Sequence, residues 1–289
     1  MKIALAQINT KLGDIHANQK KHLDFIQQAK AENADLVIFP ELSLTGYFLQ
    51  DIVPTVAVQP NSDDPIFKPL IEASKDIDIV LGFVDKDKQH RFYIAGAYLS
   101  EGKVLHVHRK VYLPTYGMFD EGRFFASGNG VQAFDTPLGR FGLLICEDFW
   151  HASLPYLLWM DGADLLIFIS ASPGHGISDA PQFGAAGWVE HATKAYANLF
   201  TCFVASTNRV GFEDGLCFYG NAHVHDPRGN LIAKGPKMEE TIIFTEIDFN
   251  QLRRTRTRLP LLRDERPELI MKELERILRK EVTKKQARW

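Results

Sequence analysis

The feature that most constrains this chain is an alternation: short, β-rich apolar runs are separated by stretches with helical spacing. KIALAQI leads into a helical pattern from about Asn18 to Asn33, DLVIFP into one near Pro65 to Asp76, and DIVLGFV follows. Such alternation specifies helices layered on sheet, an α/β fold. FYIAGAYLS and GKVLHVHRK flank Glu101 and Gly102, which predicts a tight antiparallel hairpin and hence a mixed sheet. RFGLLICED, a helix near Ala152 to Asp161, DLLIFISAS, a helix near Phe183 to Asn198, TCFVASTN, NAHVHDP and ETIIFTEID continue the pattern. No Pro/Gly/Ser linker or internal repeat interrupts it, so a single domain is expected. The last forty residues read as helix and extended tail, placed to pack on a partner subunit rather than on their own core.

Charge and composition narrow the function. A formal net charge of -3 over 289 residues argues against nucleic acid as the main partner. Arg253, Arg254, Arg256, Arg258, Lys284 and Lys285 crowd the C-terminus, but acidic residues are interleaved from Asp264 to Glu281, which favours a solvated tail over a phosphate-binding patch. No apolar run approaches the ~20 residues needed to span a bilayer, and MKIALAQINTKLGD turns polar before a signal core forms. The expectation is a cytoplasmic protein with no membrane partner. Cys146, Cys202 and Cys217 are odd in number and lack CxxC spacing, so reduced thiols are expected rather than a disulfide framework or a structural zinc site.

Three polar residues fall where strands should end, the usual location of sites in layered α/β folds. Glu41 directly follows DLVIFP, where partial desolvation suits a general base; a carboxylate at a helix N-terminus is the competing reading. Cys146 closes FGLLI and precedes a helical pattern, so its thiol should sit in a strand-to-helix turn with backbone N–H groups close by. The alternative is a buried cysteine acting as a small hydrophobe, which fits Cys202 better. Glu147 and Asp148 oppose a thiolate, so a cation is required, and Lys110 at the end of KVLHVHRK supplies one. Lysine there is otherwise a solvated strand end. Beyond it, Leu113-Pro114 forces an extended turn, and Tyr116, Phe119, Phe124 and Phe125 surround Asp120 and Glu121 in an aromatic segment suited to a small desolvated pocket.

FPELSLTGY around Glu41, RKVYLPTYGMFDEGRFF from Arg109 and LLICEDFW around Cys146 together resemble the nitrilase, or carbon–nitrogen hydrolase, superfamily. LTGY, the LP-Tyr-FDE loop, Cys-Glu-Asp-x-Trp and ISASP are most similar to the glutaminase domain of glutamine-dependent NAD synthetases. The resemblance implies a four-layer αββα sandwich, with residues 1–250 as the carbon–nitrogen hydrolase domain. Residues 251–289 would be a C-terminal helix and tail, part of the same domain or of its oligomer interface. It implies a Glu-Lys-Cys triad at Glu41, Lys110 and Cys146, a supporting Glu121, and an acyl pocket of Tyr116, Glu147, Trp150 and Ser172. In that pocket Glu147 would face the amino group of a glutamine-like substrate. No cofactor and no metal are implied, and the assembly implied is a homo-oligomer built from dimers.

The activity implied is hydrolysis of a small amide, a carbon–nitrogen bond other than a peptide bond. No P-loop or dinucleotide fingerprint provides for the ATP-dependent step of a NAD synthetase. A stand-alone amidase is therefore the expectation, with a separate-chain glutaminase feeding ammonia to a synthetase as an alternative. The Gly/Ala-rich loop SPGHGISDAPQFGAAGW, whose His175 is in reach of a substrate, argues for a substrate other than glutamine. Nitrile hydrolysis and acyl transfer use the same triad, and a catalytically silent binding subunit is the rival outside enzymes. HVH at His106–His108 and at His223–His225 places two histidine pairs, a metal site only if those strands are neighbours.

Overall fold

Lys2–Gln7 forms strand β1, and every residue after the first is buried. A run buried on both faces belongs at the centre of a sheet covered by helices, which is why it reads as continuously apolar. The structure is a computed structural model and describes residues 1–174 and 184–286, the side chains of Ala185 and residues 281–286 excepted. After β1 come α1 (Ile15–Ala31), β2 (Leu36–Ile38), α2 (Val53–Val56), α3 (Phe67–Ala73), β3 (Asp78–Lys86), β4 (Phe92–Ser100), β5 (Lys103–Arg109) and α4 (Glu121–Phe124). The second half holds β6 (Phe134–Thr136), β7 (Gly139–Ile145), α5 (Ser153–Met160), β8 (Leu165–Ser170), α6 (Gly184–Leu199), β9 (Phe203–Asn208), β10 (Val210–Glu213) and β11 (Leu216–Tyr219). The chain continues through β12 (His223–His225), β13 (Leu231–Lys234), β14 (Thr241–Glu246), α7 (Asn250–Arg258), α8 (Leu261–Asp264) and α9 (Pro267–Gln286).

Two six-stranded sheets result, ordered β14-β1-β2-β3-β4-β5 and β13-β12-β9-β8-β7-β6. Both are mixed. β1, β2 and β3 run parallel, as do β7, β8 and β9, with antiparallel strands at the flanks. The expected hairpin is β4–β5, whose register pairs Ser100 with Lys103. Alternate residues of each central strand face opposite ways. Ile3, Leu5, Leu36 and Ile38 of one sheet meet Leu143, Ile145, Ile167 and Ile169 of the other in a single core. Their neighbours Ala4, Val37, Ile79 and Leu81 turn outward to pack on Ile26 of α1 and Phe67 and Leu70 of α3. Leu144, Leu166 and Phe168 pack on Leu154 and Leu158 of α5 and Val189 of α6. Three separate cores between four layers make the αββα sandwich.

Helix α1 begins three residues before the periodicity suggested, because the Asp14 side chain accepts the Ala17 N–H and caps it. The sixth helix reaches back to Gly184; Phe183 lies outside the described residues. Short β6, the β10–β11 hairpin and β13 carry too few residues to show a period, and no strand was anticipated at them. The C-terminal segment departs from expectation: its described residues form α7, α8 and α9 in close succession rather than a partly extended tail. Leu269, Met271, Leu274, Ile277 and Leu278 of α9 are exposed. Among the described residues no helix is long and apolar enough to cross a membrane.

Candidate active site

The site is built where β2, β7 and β8 end, all at the carboxyl edge of parallel strands, with β5 arriving beside them. Glu41 sits in the turn that leaves β2. Phe39 and Leu44 donate backbone hydrogen bonds to Val80 and Gly82 of β3, and the Ser43 hydroxyl binds the Gly82 backbone, so the turn lies flat on that strand. Gly82 permits this: a Cβ there would collide with the backbone of Pro40, Glu41 and Leu42. The Glu41 carboxylate is thereby buried and doubly held, Oε1 accepting from Lys110 Nζ at 2.8 Å and Oε2 from the Ala171 N–H at 2.8 Å. The second of these bonds crosses to the opposite sheet.

Lys110 follows β5 and is fully buried. Its Nζ also contacts Glu121 Oε1 at 2.9 Å and Oε2 at 2.8 Å. Burial alone depresses an ammonium; the facing carboxylates of Glu121 and Glu41 outweigh it and hold Lys110 well above its usual range. The solvated strand end allowed for by the sequence is therefore excluded. Glu121 opens α4, and burial raises its carboxyl, Lys110 opposing and Glu41 adding to the shift. Tyr47 donates to Glu121 Oε1 at 2.6 Å.

Cys146 follows β7 at once and begins a 3-10 turn that runs to Trp150. Its φ is 45°, in the left-handed region that costs a non-glycine residue about 1–2 kcal/mol. Cys146 is 6% exposed, and its Sγ lies 3.9 Å from Ser172 Oγ. Burial pushes the thiol far up; Glu41 raises it further, Lys110 opposes, and Glu121 adds. Ser172 is itself fixed, by Ser170 Oγ at 2.6 Å and by an exchange of hydrogen bonds with Asn208.

Of the expected pocket residues, Tyr116 and Glu147 are brought together: the phenol donates to Glu147 Oε2 at 2.8 Å, although Tyr116 is 59% exposed. His151 Nε2 lies 3.7 Å from Glu147 Oε1, and its ring stacks on Tyr112 at 3.4 Å. Trp150 ends the turn with 40% of its surface exposed, and the described contacts leave it outside both the Cys146 and Glu147 networks. Glu121 and Tyr47 also line a cavity of about 490 Å³ with Phe48, Phe119 and Phe124, which reaches them without reaching Cys146. His175 lies outside the described residues.

Several contributors carried no assigned role in the sequence reading. Tyr47 and Ser170 fall inside the strings LTGY and ISASP, but what they touch depends on segments distant in sequence. Glu213 Oε1 accepts the Tyr47 and Phe48 N–H groups at 2.8 Å each, while Arg209 binds Glu213 Oε2 at 2.7 Å. Gly46, at φ 81°, makes room: a Cβ there would lie 2.8 Å from Glu213 Oε2. His106 and His108 lie on β5 and His223 and His225 on β12, in different sheets, so the neighbouring strands that a shared metal site would need are not formed. His223 bonds Thr193 and the Asn221 carbonyl, and among the described residues no His/Cys/Asp/Glu group is arranged to hold a metal.

Paired mixed sheets between helical layers, with a buried Glu-Lys-Glu cluster beside a cysteine turn at the strand ends, define an αββα hydrolase sandwich. The chain belongs to the carbon–nitrogen hydrolase family, which matches residues 2–257. It is 31% identical over 257 residues to a glutamine-dependent NAD(+) synthetase of Acinetobacter baylyi, covering 87% of this chain and 45% of that protein. The solved glutamine-dependent NAD+ synthetase of Acinetobacter baumannii superposes with a TM-score of 0.76 at 30% identity, covering 87% of this chain and 46% of that one. Saccharomyces cerevisiae Nit3, a member of branch 10 of the nitrilase superfamily, superposes with a TM-score of 0.79 at 25% identity, covering 90% and 94% of the two chains. This chain spans about half the length of the curated NAD synthetases it matches.

Proposed function

We propose that this carbon–nitrogen hydrolase cleaves a small amide through a thioester on Cys146. The observation that carries the reading is the buried Lys110, bonded to both Glu41 and Glu121 beside a buried cysteine held at φ 45°. Glu41 accepts the thiol proton as Sγ attacks the amide carbonyl, and Lys110 with a backbone N–H of the Cys146 turn stabilises the oxyanion. Collapse breaks the C–N bond, and the amine leaves with the proton Glu41 took. Water then attacks the thioester: Glu41 takes one of its protons, the acid departs, and that proton returns to the sulfur. Glu121 keeps Lys110 oriented throughout. Tyr116, Glu147, Trp150 and Ser172 form the acyl pocket in this reading.

Substituting Glu41 by glutamine preserves the side chain's shape and removes the base. Incubated with a panel of amides including L-glutamine, wild-type protein quenched during turnover should carry an acyl adduct on Cys146, readable by intact-protein mass spectrometry, whereas Glu41→Gln, unable to take the thiol proton, should form no adduct and lose turnover. Wild-type turnover in Glu41→Gln, or adducts spread over Cys202 and Cys217, would overturn the mechanism. A nitrile giving the same adduct, or an added amine capturing the acyl group, would redirect it to nitrilase or transferase chemistry. A glutamine-like substrate is the second reading, favoured by the Tyr116–Glu147 carboxylate and by the NAD synthetase relatives. Ammonia would then pass to a synthetase.

The same proposal assigns residues 251–289 to a subunit interface, since α9 exposes Leu269, Met271, Leu274, Ile277 and Leu278 to water. Light scattering should find a dimer or a multiple of it at micromolar concentration, dissociated by Leu274→Glu with Ile277→Glu. A wild-type monomer removes this part.

A further inference from the structure

We propose that Asp148 is a positioning residue that locks the Lys110 arm to the Cys146 turn. Its charge lies two residues from the nucleophile, where it would oppose a thiolate, yet the side chain is fully buried and turned to another task. Oδ1 accepts the backbone N–H groups of Val111 and Tyr112, both at 2.9 Å. Oδ2 accepts the Ile145 N–H at 3.3 Å and meets His108 Nε2 at 2.8 Å. Residues 108, 111 and 112 bracket Lys110, and residue 145 immediately precedes Cys146. One carboxylate therefore joins the strand that delivers the cation to the strand that delivers the thiol, across two different sheets.

Capping the 3-10 turn would explain the Ile145 bond alone. The other three donors come from His108 on β5 and from Val111 and Tyr112 in the segment just past it, and are surplus to a cap. His108 lies on β5 and Lys110 comes one residue after the strand ends, its N–H still bonded to the Ile94 carbonyl, so fixing His108 also fixes the segment that carries Lys110. A non-glycine residue at φ 45° persists only where its surroundings over-determine it. Asp148 supplies that restraint and sets the separation of Lys110 from Sγ, on which thiolate and oxyanion stabilisation depend steeply.

This inference rests on Lys110 and Cys146 working as proposed above, and the experiment separates the two. Asp148→Asn weakens each bond of the carboxylate: Val111 and Tyr112 keep only a neutral amide oxygen, His108 is held only by changing tautomer to accept from the amide, and the Ile145 N–H faces the amide NH2. The full-length variant should fold, as judged by circular dichroism. Iodoacetamide should alkylate its Cys146 about tenfold more slowly at pH 8, with the pH profile displaced upward, and kcat should fall about 100-fold while KM stays within threefold. Wild-type alkylation and kcat in the folded variant would overturn the proposal, as would losses no larger than its unfolded fraction. If Asp148→Asn does not fold, His108→Leu removes one donor and leaves the backbone contacts. A kcat lowered about tenfold at unchanged KM then supports the role, and unchanged kcat overturns it. Turnover retained by Cys146→Ala would instead sink the underlying mechanism.

Discussion

Cys146→Ala is expected to lower turnover by about four orders of magnitude or more while leaving the melting temperature within a few degrees of wild type. Both halves follow from the geometry. Without sulfur no covalent intermediate forms, and the two carboxylates and one ammonium around the gap have no other nucleophile to activate. Structurally little is lost: Sγ contributes a 3.9 Å approach to Ser172 Oγ, and alanine at φ 45° meets the same left-handed penalty as cysteine. The Lys110 bonds to Glu41 and Glu121 remain. Ammonia release and thermal denaturation check the pair of expectations. An active alanine variant would abandon the thioester; an unfolded one would mean that the thiol is part of the core.

Lys110→Met should do the converse, losing activity and stability together. The substitution keeps the volume but leaves Glu41 and Glu121 buried near each other with no cation, a defect worth about 3–5 kcal/mol. The loss has a defined pH dependence. Burial already raises Glu121, and removing Lys110 deletes the main opposing influence, so its folded-state pKa climbs further. A carboxyl raised in the folded state costs nothing when both states are protonated, below its unfolded value of about 4.5. The cost grows as pH rises from there toward the folded value. Urea unfolding at pH 5 and pH 8 should therefore show the larger deficit at pH 8, and Lys110→Met with Glu121→Gln should recover much of it without recovering activity. A Lys110→Met protein as stable at pH 8 as at pH 5 would contradict the electrostatic account.

Where the fold was legible in the sequence, a period was present to read. The strands of the two parallel cores sit in buried, mostly apolar runs, even three-residue β2 within DLVIFP, and both sheets were visible as the alternation of those runs with helices. β6, β10, β11 and β13 are three or four residues long, partly exposed and polar at intervals, too short for any period to register. The C-terminal segment misled because its charges hide a helical stripe. The HVH pairs left a metal site conditional on neighbouring strands, because strand spacing alone fixes a shared face and says nothing about which sheet the strand joins.

The chain's local chemistry determined the identities and edges of the site: a carboxylate, a lysine and a thiol, each placed at the end of an apolar run because strands end where apolar runs do. Their strings also marked the family. Tertiary structure decided what those groups do to one another. Lys110 is a solvated strand end on its own segment and a fully buried cation in the sandwich. Asp148 is an adverse charge beside a thiol until four donors from two sheets converge on it. Hydrogen bonds and charge pairing depend on distances of a few ångströms; the pairing of β2 through β5 in one sheet brings residues 41, 110 and 121 within them, and only the packing of the other sheet adds residue 171 and sets Cys146 alongside.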